Sequence, residues 1–389
     1  MPENFALYLL LVVALGIGYL LGRWERTRRR TPTASIGRDY FRGLNRLLNE
    51  RQDQAIDTFI EAIASDSDTV DTQLVLGSLV RRRGEVDQAI HIHQNLLARP
   101  ALSASHRTQI ELELARDYMA AGLLDRAENL LLELLESDTG AKHAGLEMLV
   151  EIYQRESDWA RAAEMGQRLM RHDKSVRRKL AHFQCELAQA ALAEGDLRLA
   201  RELLAKGADA DPSCARVNLI AAQVELAAKR YREVKRRLKQ VRAQDPELVG
   251  ETLDLYRQAC AGQADEADYR KYLNACLADA PLPRVVEALA DHLEREQDAQ
   301  KARRFVIDQL SCLPSLGGFV MLLDRLQRDE EALQMEELAS LRRCAQSLLS
   351  EQSSYRCNEC GYSGHSLLWM CPSCRNWGSV KPIVNRAAD

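Results

Sequence analysis

The stretch from Gly84 to Ile90, GEVDQAI, recurs in modified form along the chain. Further copies are GLLDRAE (Gly122 to Glu128), SDWARAA (Ser157 to Ala163) and GDLRLAR (Gly195 to Arg201). Each copy has a turn residue, then an acidic or polar step, then an alanine in the opening turn of a second helix. That position continues as Ala55, Ala89, Ala127, Ala162, Ala200, Val234, Ala267 and Ala302, at intervals of 34, 38, 35, 38, 34, 33 and 35 residues. A period of this length predicts stacked helical hairpins.

Two further positions follow the same period. Twelve residues before the repeated alanine stand Gly43, Gly77, Ala115, Ala188, Ala222 and Ala290, whereas Val150 and Leu255 fill this position less well. Twelve residues after it stand Pro212, Pro246 and Pro314, and proline cannot continue a helix. Small contact residues and terminal prolines are typical of tetratricopeptide repeats. The sequence therefore predicts an all-α superhelix over residues 37–350, with an ordinary helical bundle as the alternative.

The composition agrees with this prediction and excludes one class of partner. Apolar residues make up 46% and aromatic residues only 5%, while alanine, leucine, glutamate, glutamine and arginine predominate, which favours helix. The formal net charge is −4, so the chain lacks the basic excess of a general nucleic-acid binder. We found no phosphate-binding loop, dinucleotide fingerprint, metalloprotease or serine-hydrolase motif, so we expect a protein that is not an enzyme.

A repeat array of this kind is expected to bind proteins or peptides in its concave groove. On the usual geometry, seven side chains point into that groove: Arg81, Arg82, Arg116, Met119, Glu151, Gln154 and Gln189. For any single one of them, a solvated helix face is the simpler interpretation.

The N-terminal segment predicts a membrane anchor. Phe5 to Leu21 is a run of 17 residues without a charge, which spans about 25 Å as a helix. Five arginines follow it, between Arg23 and Arg30, and the positive-inside rule keeps such a cluster in the cytoplasm. A cleaved signal peptide would carry its basic residues before the apolar run. We expect a transmembrane anchor over residues 1–22, a basic linker over 23–36, and the remainder of the chain in the cytoplasm.

Four of the ten cysteines form two pairs near the C-terminus, and we predict a metal-binding domain over residues 355–385. Cys357 and Cys360 form one C-x-x-C pair, and Cys371 and Cys374 form the other. Two such turns aim four thiolates at one ion, and a shell of four thiolates suits zinc or iron. Gly361 can adopt the left-handed conformation that the first turn needs. A secreted disulfide framework is the alternative, disfavoured in a long helix-rich chain.

The histidines are not expected to bind metal. His365 lies between the two cysteine pairs, but four thiolates already complete the shell. His91 and His93 are two residues apart on a predicted helix and so face different directions. His182 is expected to be a core or hairpin contact.

Taken together, these segments resemble the lipopolysaccharide assembly protein B (LapB, or YciM) family over essentially the whole chain. The most specific stretches are RGEVDQAIHIHQ, RDYMAAGLLDRAE, AHFQCELA, CNECGY, CPSCRNW and KPI. The two cysteine turns look like rubredoxin knuckles, which favours iron, with zinc possible. Their short spacer disfavours an electron-transfer role. The family's four metal ligands match Cys357, Cys360, Cys371 and Cys374.

The resemblance implies a Gram-negative inner-membrane protein, its N-terminus periplasmic, that controls lipopolysaccharide synthesis. It implies an adaptor that promotes degradation of the deacetylase LpxC by the membrane protease FtsH, and contacts with other lipopolysaccharide biosynthesis or transport proteins. Two alternatives stay open at this point: a scaffold that gathers lipopolysaccharide enzymes without proteolysis, and an electron-transfer protein that uses the rubredoxin-like site.

Overall fold

A computed structural model describes residues 69–100, 102–136, 141–295, 299–312, 315–327 and 353–383, together with 342 and 346. The chain divides into two compact units, Met1–Leu134 and Leu135–Asp389. The predicted anchor, the linker and the repeat positions Gly43, Ala55 and Pro314 lie outside the described residues. Within the described ranges, no helix is long and apolar enough to span a membrane.

The described part of the first unit consists of helical hairpins. Its helices are α1 (Val70–Arg82), α2 (Val86–Leu97), α3 (Ala104–Ala120) and α4 (Leu124–Glu136, whose last two residues belong to the second unit). Leu74, Leu96 and Ile110, one from each of the first three helices, form a shared core cluster. Thr69 and Ser103 cap α1 and α3, because their hydroxyl groups accept hydrogen bonds from free backbone N–H groups.

The second unit continues the hairpins and ends in a small sheet. Its helices are α5 (Lys142–Arg155), α6 (Trp159–Leu169), η1 (Lys174–Val176), α7 (Arg177–Ala193), α8 (Leu197–Ala210), α9 (Ala215–Ala227), α10 (Tyr231–Gln244), η2 (Pro246–Glu251), α11 (Leu253–Ala261), α12 (Glu266–Asp279), α13 (Pro283–Arg295), α14 (Ala299–Cys312) and α15 (Leu316–Gln327). Here η denotes a 3-10 helix. Pro212 and Pro246 follow the ends of α8 and α10, as the repeat pattern predicted.

The same backbone turn closes the first helix of six hairpins in the described ranges. One residue adopts a left-handed conformation, with φ of 94° at Gly84, 76° at Gly122, 59° at Ser157, 84° at Gly195, 56° at Lys229 and 55° at Ala264. In each case the next backbone N–H bonds a carbonyl five residues earlier, as Glu85 does to Val80 at 3.1 Å. This is the Schellman arrangement that satisfies the free carbonyls of a helix end. The glycine of the GEVDQAI motif is therefore a helix terminator.

The repeated alanine lies five residues after this turn residue and is fully buried in most hairpins. Ala89, Ala127, Ala162, Ala200, Val234 and Ala302 all have 0% exposure. The prediction for Ala267 is wrong, because Ala267 is exposed. Counting five residues from the turn at Ala264 leads to Tyr269, which is 2% exposed. The turn sets the register of the second helix, and the sequence alignment placed this register two residues early.

Tyrosines take the place of small residues in this atypical hairpin. Tyr256 and Tyr272 stack with ring centroids 3.8 Å apart, and Tyr269 stacks on Tyr256 at 6.5 Å. Leu255, the weaker match in the sequence pattern, is only partly buried, whereas the neighbouring Tyr256 is 0% exposed. The hairpin of α11 and α12 is therefore held by aromatic packing where the others use close contact between small residues.

The first unit contains a buried charged network that explains one of its glycines. A Cβ atom at Gly77 would lie 2.4 Å from Nε2 of His93, so only glycine leaves room for this ring. His93 Nδ1 bonds the Asp117 carboxylate at 2.5 Å, and Asp117 also pairs with Arg81 at 2.7 Å. Arg81, predicted to face a groove, is thus committed to an internal ion pair. Met119, predicted to face the same groove, is only 6% exposed and belongs to the core.

Candidate metal centre and its docking surface

The C-terminal module is a three-stranded antiparallel sheet that carries two cysteine turns. Strand β1 (Tyr355–Cys357) lies between β2 (Ser363–Gly364) and β3 (Val380–Pro382). The register pairs Tyr355 with Gly364 on one side and with Pro382 on the other. Cys357, Cys371 and Val380 form the small core of the module. A core this small needs an additional source of stability, such as a bound metal.

The two cysteine turns have the same backbone geometry. In the first, Gly361 has φ of 77° and its N–H donates to the Cys357 carbonyl at 3.0 Å. In the second, Arg375 has φ of 57° and its N–H donates to the Cys371 carbonyl at 2.9 Å. The prediction for Gly361 is confirmed. The left-handed arginine in the equivalent position was not predicted, because arginine carries no sequence signal for this conformation.

The four sulfur atoms of these turns converge on one point. Cys357 Sγ and Cys374 Sγ are 3.7 Å apart, as are Cys360 Sγ and Cys371 Sγ, and all four sulfurs lie within 4.8 Å of one another. A tetrahedral ion with bonds of about 2.3 Å would hold its sulfur ligands about 3.8 Å apart. The residues present therefore fit one tetrahedrally coordinated metal ion. Zinc and iron satisfy this geometry equally well, and His365 is exposed and outside the sulfur cluster.

Backbone N–H groups and the Ser379 hydroxyl surround the sulfurs. Although burial opposes ionisation of Cys357, the hydrogen bond between Cys357 Sγ and Ser379 Oγ and the backbone N–H groups that point at the sulfur lower the pKa of this thiol to about 6. The backbone N–H of Tyr362 lowers the pKa of Cys360. The backbone N–H of Asn376 acts in the same direction on Cys374, but burial and the three neighbouring cysteine thiols raise the pKa of Cys374 to about 11. Such donors favour thiolates, the form of cysteine that binds metal.

Trp377, immediately after the second cysteine turn, fixes the module to the repeats. Its ring stacks on His182 with centroids 4.9 Å apart, and Trp159 and Phe183 meet it edge to face, each at 5.8 Å. Its indole N–H donates to Gln154 Oε1 at 3.2 Å. Trp377 is 5% exposed, so this aromatic contact is a continuation of the repeat core.

Polar contacts surround this aromatic centre. Arg178 donates to the Gly378 carbonyl at 3.3 Å, and Arg216 lies 5.1 Å from the centroid of Trp369. Farther along, Tyr355 donates to Glu251 at 2.7 Å, and Lys381 pairs with Asp245. The partners from α5, α7 and α9 belong to the first helices of three consecutive hairpins. The module therefore packs against the first helices of these three hairpins.

This docking changes the interpretation of the predicted groove residues. Gln154 is 8% exposed, and its side chain bonds both Trp377 and Met370 of the module. Gln189 is exposed but accepts a hydrogen bond from Arg216 at 2.6 Å. Glu151 is exposed and pairs with Arg155 on its own helix. Arg82 and Arg116 are exposed, and Arg116 pairs with Glu113.

His182 and Gly378 have roles at this contact that the sequence did not reveal. His182 is buried, as predicted, but its neighbour is the metal module rather than another hairpin. Burial and the positive charges of Arg178, Arg216 and Lys381 lower the pKa of His182 to about 3. Gly378 has φ of 62°, and a Cβ atom there would lie 2.9 Å from Arg178 Nη2. The sequence signal that could have indicated the role of Gly378 is its position shortly after the second C-x-x-C pair.

Comparisons with known proteins agree with both parts of the fold. Residues 355–382 match the family described as rubredoxin metal binding domain, and residues 191–251 match a tetratricopeptide repeat. The chain is 37% identical over 380 residues to lipopolysaccharide assembly protein B of Escherichia coli K12, covering 97% of each protein. This chain belongs to the lipopolysaccharide assembly protein B family. The Haemophilus influenzae member is 31% identical over 394 residues, covering 98% of each.

Membership of the lipopolysaccharide assembly protein B family indicates the general role of this chain. A protein of this family has a role in lipopolysaccharide assembly or its regulation. Its tetratricopeptide scaffold and its assembly-protein relatives are characteristic of a protein that binds other proteins. The sulfur cluster is suited to a single metal ion.

Proposed function

We propose that this protein is an inner-membrane adaptor that regulates lipopolysaccharide synthesis by presenting LpxC to the protease FtsH. The observation that carries the proposal is the docking of the metal module on the repeats through Trp377, His182 and Gln154. Because of this contact, the surface with which the repeats would recognise LpxC depends on the position of the metal module. An adaptor needs such a rigid surface, because a preorganised surface loses less entropy on binding its partner.

In this proposal Cys357, Cys360, Cys371 and Cys374 hold one ion that has a structural role. The ion closes both cysteine turns and so presents Trp377 to the repeats. A large core cluster of the second unit is built from helices α9 to α13 and contains no metal ligand, so we expect the array to fold without the ion. Residues 1–22 would hold the adaptor in the plane of FtsH, and tethering of this kind raises avidity by about 10²–10⁴-fold without new contacts.

The experiment is LpxC decay after protein synthesis is blocked, in cells that express each variant at matched levels. We expect slower decay with residues 1–22 deleted, and slower decay with Trp377→Ala. His365→Ala is the matched control, since it changes an exposed residue of the same module, and it should leave decay unchanged.

The relatives' name favours one alternative, an assembly scaffold for lipopolysaccharide enzymes without a proteolytic role. Wild-type LpxC decay in both the deletion and the Trp377→Ala strains would refute the adaptor proposal. The scaffold would then be the better account, and lipopolysaccharide enzymes should co-purify with the wild-type chain but not with Trp377→Ala.

A further inference from the structure

Helix α10 carries much more positive charge than the helices that occupy the same place in the neighbouring hairpins. It has six cations and one carboxylate, whereas α8 has three cations and two carboxylates and α12 has two cations and three carboxylates. The chain as a whole has a formal net charge of −4, so this excess is local. Three of the six cations have internal partners: Lys235 pairs with Asp268 at 3.0 Å, Arg242 pairs with Asp279 at 2.5 Å, and Arg237 donates to Asn218 at 3.0 Å.

The other three cations of α10 face solvent. Arg232, Arg236 and Lys239 are exposed, and their spacing of four and then three residues places them on one face of the helix, over about 10 Å. Arg236 pairs with Glu233 of its own helix at 2.7 Å. In the described part of the chain, Arg232 and Lys239 form no ion pair with a carboxylate. Two more exposed cations precede the helix, and together these residues form the cationic stripe: Lys229, Arg230, Arg232, Arg236 and Lys239.

The start of α10 departs from the pattern of other hairpins, and each departure adds positive charge. Helices α6, α8 and α12 begin after an aspartate whose side chain accepts a hydrogen bond from a free backbone N–H: Asp158, Asp196 and Asp265. The same position before α10 is Arg230, which makes no such bond. The turn residue before it is Lys229, in a left-handed conformation that favours glycine. Cations at the positive end of a helix dipole are unfavourable, so the stability of the hairpin does not account for these residues.

We propose that the cationic stripe is a docking surface for an acidic segment of a partner protein. The basis of the proposal is charge complementarity. A guanidinium group is suited to binding carboxylates, and Arg236 already binds one, with Nε at 2.9 Å and Nη2 at 2.7 Å from Glu233 Oε2. Arg232 and Lys239, one turn away on either side, have no such carboxylate from the described part of this chain. The carboxylates that neutralise them therefore come from a partner.

The surroundings of the stripe favour a protein partner over a membrane or a nucleic acid. The other exposed residues of α10 are Gln240 and Ala243, and none of the exposed large apolar side chains in the described ranges lies on this helix. A helix that lies on a membrane carries bulky apolar residues beside its cations, and a surface for single-stranded nucleic acid carries exposed aromatic rings. The stripe has neither. This docking surface goes beyond the adaptor proposal, because it involves neither the metal module nor residues 1–22.

The test measures binding of a fluorescein-labelled decaglutamate peptide to the metal-loaded full chain in non-ionic detergent, by fluorescence anisotropy. We expect the decaglutamate to bind, with an affinity that falls as salt is added, and decaglutamine not to bind. Arg232→Gln combined with Lys239→Gln should weaken binding at least about fivefold, because two surface ion pairs are lost. The matched control is Arg198→Gln combined with Lys206→Gln, which removes the same charge from exposed positions of α8 and should change the affinity less than about twofold.

A second measurement locates the peptide on the wild-type chain. Carbodiimide joins amines to carboxylates that touch them, so cross-linking followed by mass spectrometry should place the decaglutamate on Lys229 or Lys239. Equal affinity for decaglutamate and decaglutamine, equal weakening in the two double variants, or cross-links only at other lysines would each overturn the inference. So would hydrogen-exchange protection of residues 229–243 in nanodiscs of phosphatidylglycerol but not of phosphatidylcholine, because the stripe would then be a membrane contact.

Discussion

The indole N–H of Trp377 donates a hydrogen bond to Gln154, 3.2 Å away, and joins residues 223 positions apart in the chain. Gln154 lies in the last turn of the first helix of one hairpin, and Trp377 follows the last metal cysteine by three residues. The bond and the aromatic packing around it form the buried centre of the contact that fixes the metal module to the array, and polar contacts surround this centre.

Removal of this indole should detach the module without emptying its metal site. Trp→Ala substitutions at buried positions cost about 3–5 kcal/mol. In Trp377→Ala we therefore expect metal content equal to wild type but faster amide hydrogen exchange and proteolysis across residues 353–383. His365→Ala should match wild type in both measurements. Unchanged protection in Trp377→Ala would show that the polar contacts alone hold the module.

Loss of one metal ligand should unfold the module and spare the repeats. Structural four-ligand sites contribute about 10–16 kcal/mol of apparent binding free energy in zinc-finger peptides. We expect Cys371→Ser to lower the metal content below one ion per chain and to make residues 353–383 sensitive to protease. Helical circular dichroism should change little. Cys312→Ser, at an exposed cysteine of α14, is the control. Full metal occupancy in Cys371→Ser would contradict the four-sulfur site.

Docking of the module should weaken at acidic pH because of His182. Its pKa falls from 6.5 to about 3 in the folded protein. Below pH 6.5 the unfolded or undocked state takes up a proton and the docked state does not, so docking free energy is lost as pH falls from about 6.5 towards 3. One such proton gives a slope of up to about 1.4 kcal/mol per pH unit.

The check compares wild type with His182→Gln, which cannot titrate. Hydrogen exchange in residues 353–383 between pH 5 and 7.5 should yield an opening free energy that falls more steeply in wild type. Protonation of the metal thiolates is common to both proteins and cancels in the difference. Identical slopes would mean that His182 is not the titrating group.

The left-handed turn residues predict a stabilising substitution. A non-glycine residue in this conformation costs about 1–2 kcal/mol, and glycine loses about 0.4–1 kcal/mol through the freedom of its unfolded chain. Ala264→Gly should therefore raise the free energy of unfolding of the second unit by about 0.5–1 kcal/mol, measured by urea denaturation. The reciprocal change Gly195→Ala should lower it. A lower stability in Ala264→Gly would argue against the left-handed turn at Ala264.

The sequence by itself determined the helical hairpins and the grouping of the metal cysteines. Both depend on local signals, a turn residue followed five positions later by a small residue and two C-x-x-C pairs. Each of these signals lies within a few residues of sequence. They can therefore be recognised without knowing which surfaces pack together in the folded protein. The misplacement of Ala267 shows the limit, because the buried position five residues after the turn at Ala264 is Tyr269, so no small residue marks the register there.

Only the tertiary structure decided what the groove residues contact. The sequence predicted that Gln154 and Met119 face an open groove, but one binds the metal module and the other is buried in the core. Likewise nothing local indicates that His182 meets Trp377. These contacts form because packing brings together residues that are far apart in the chain, at separations that do not follow the repeat period. In addition, burial determines which polar side chains must find hydrogen-bond partners.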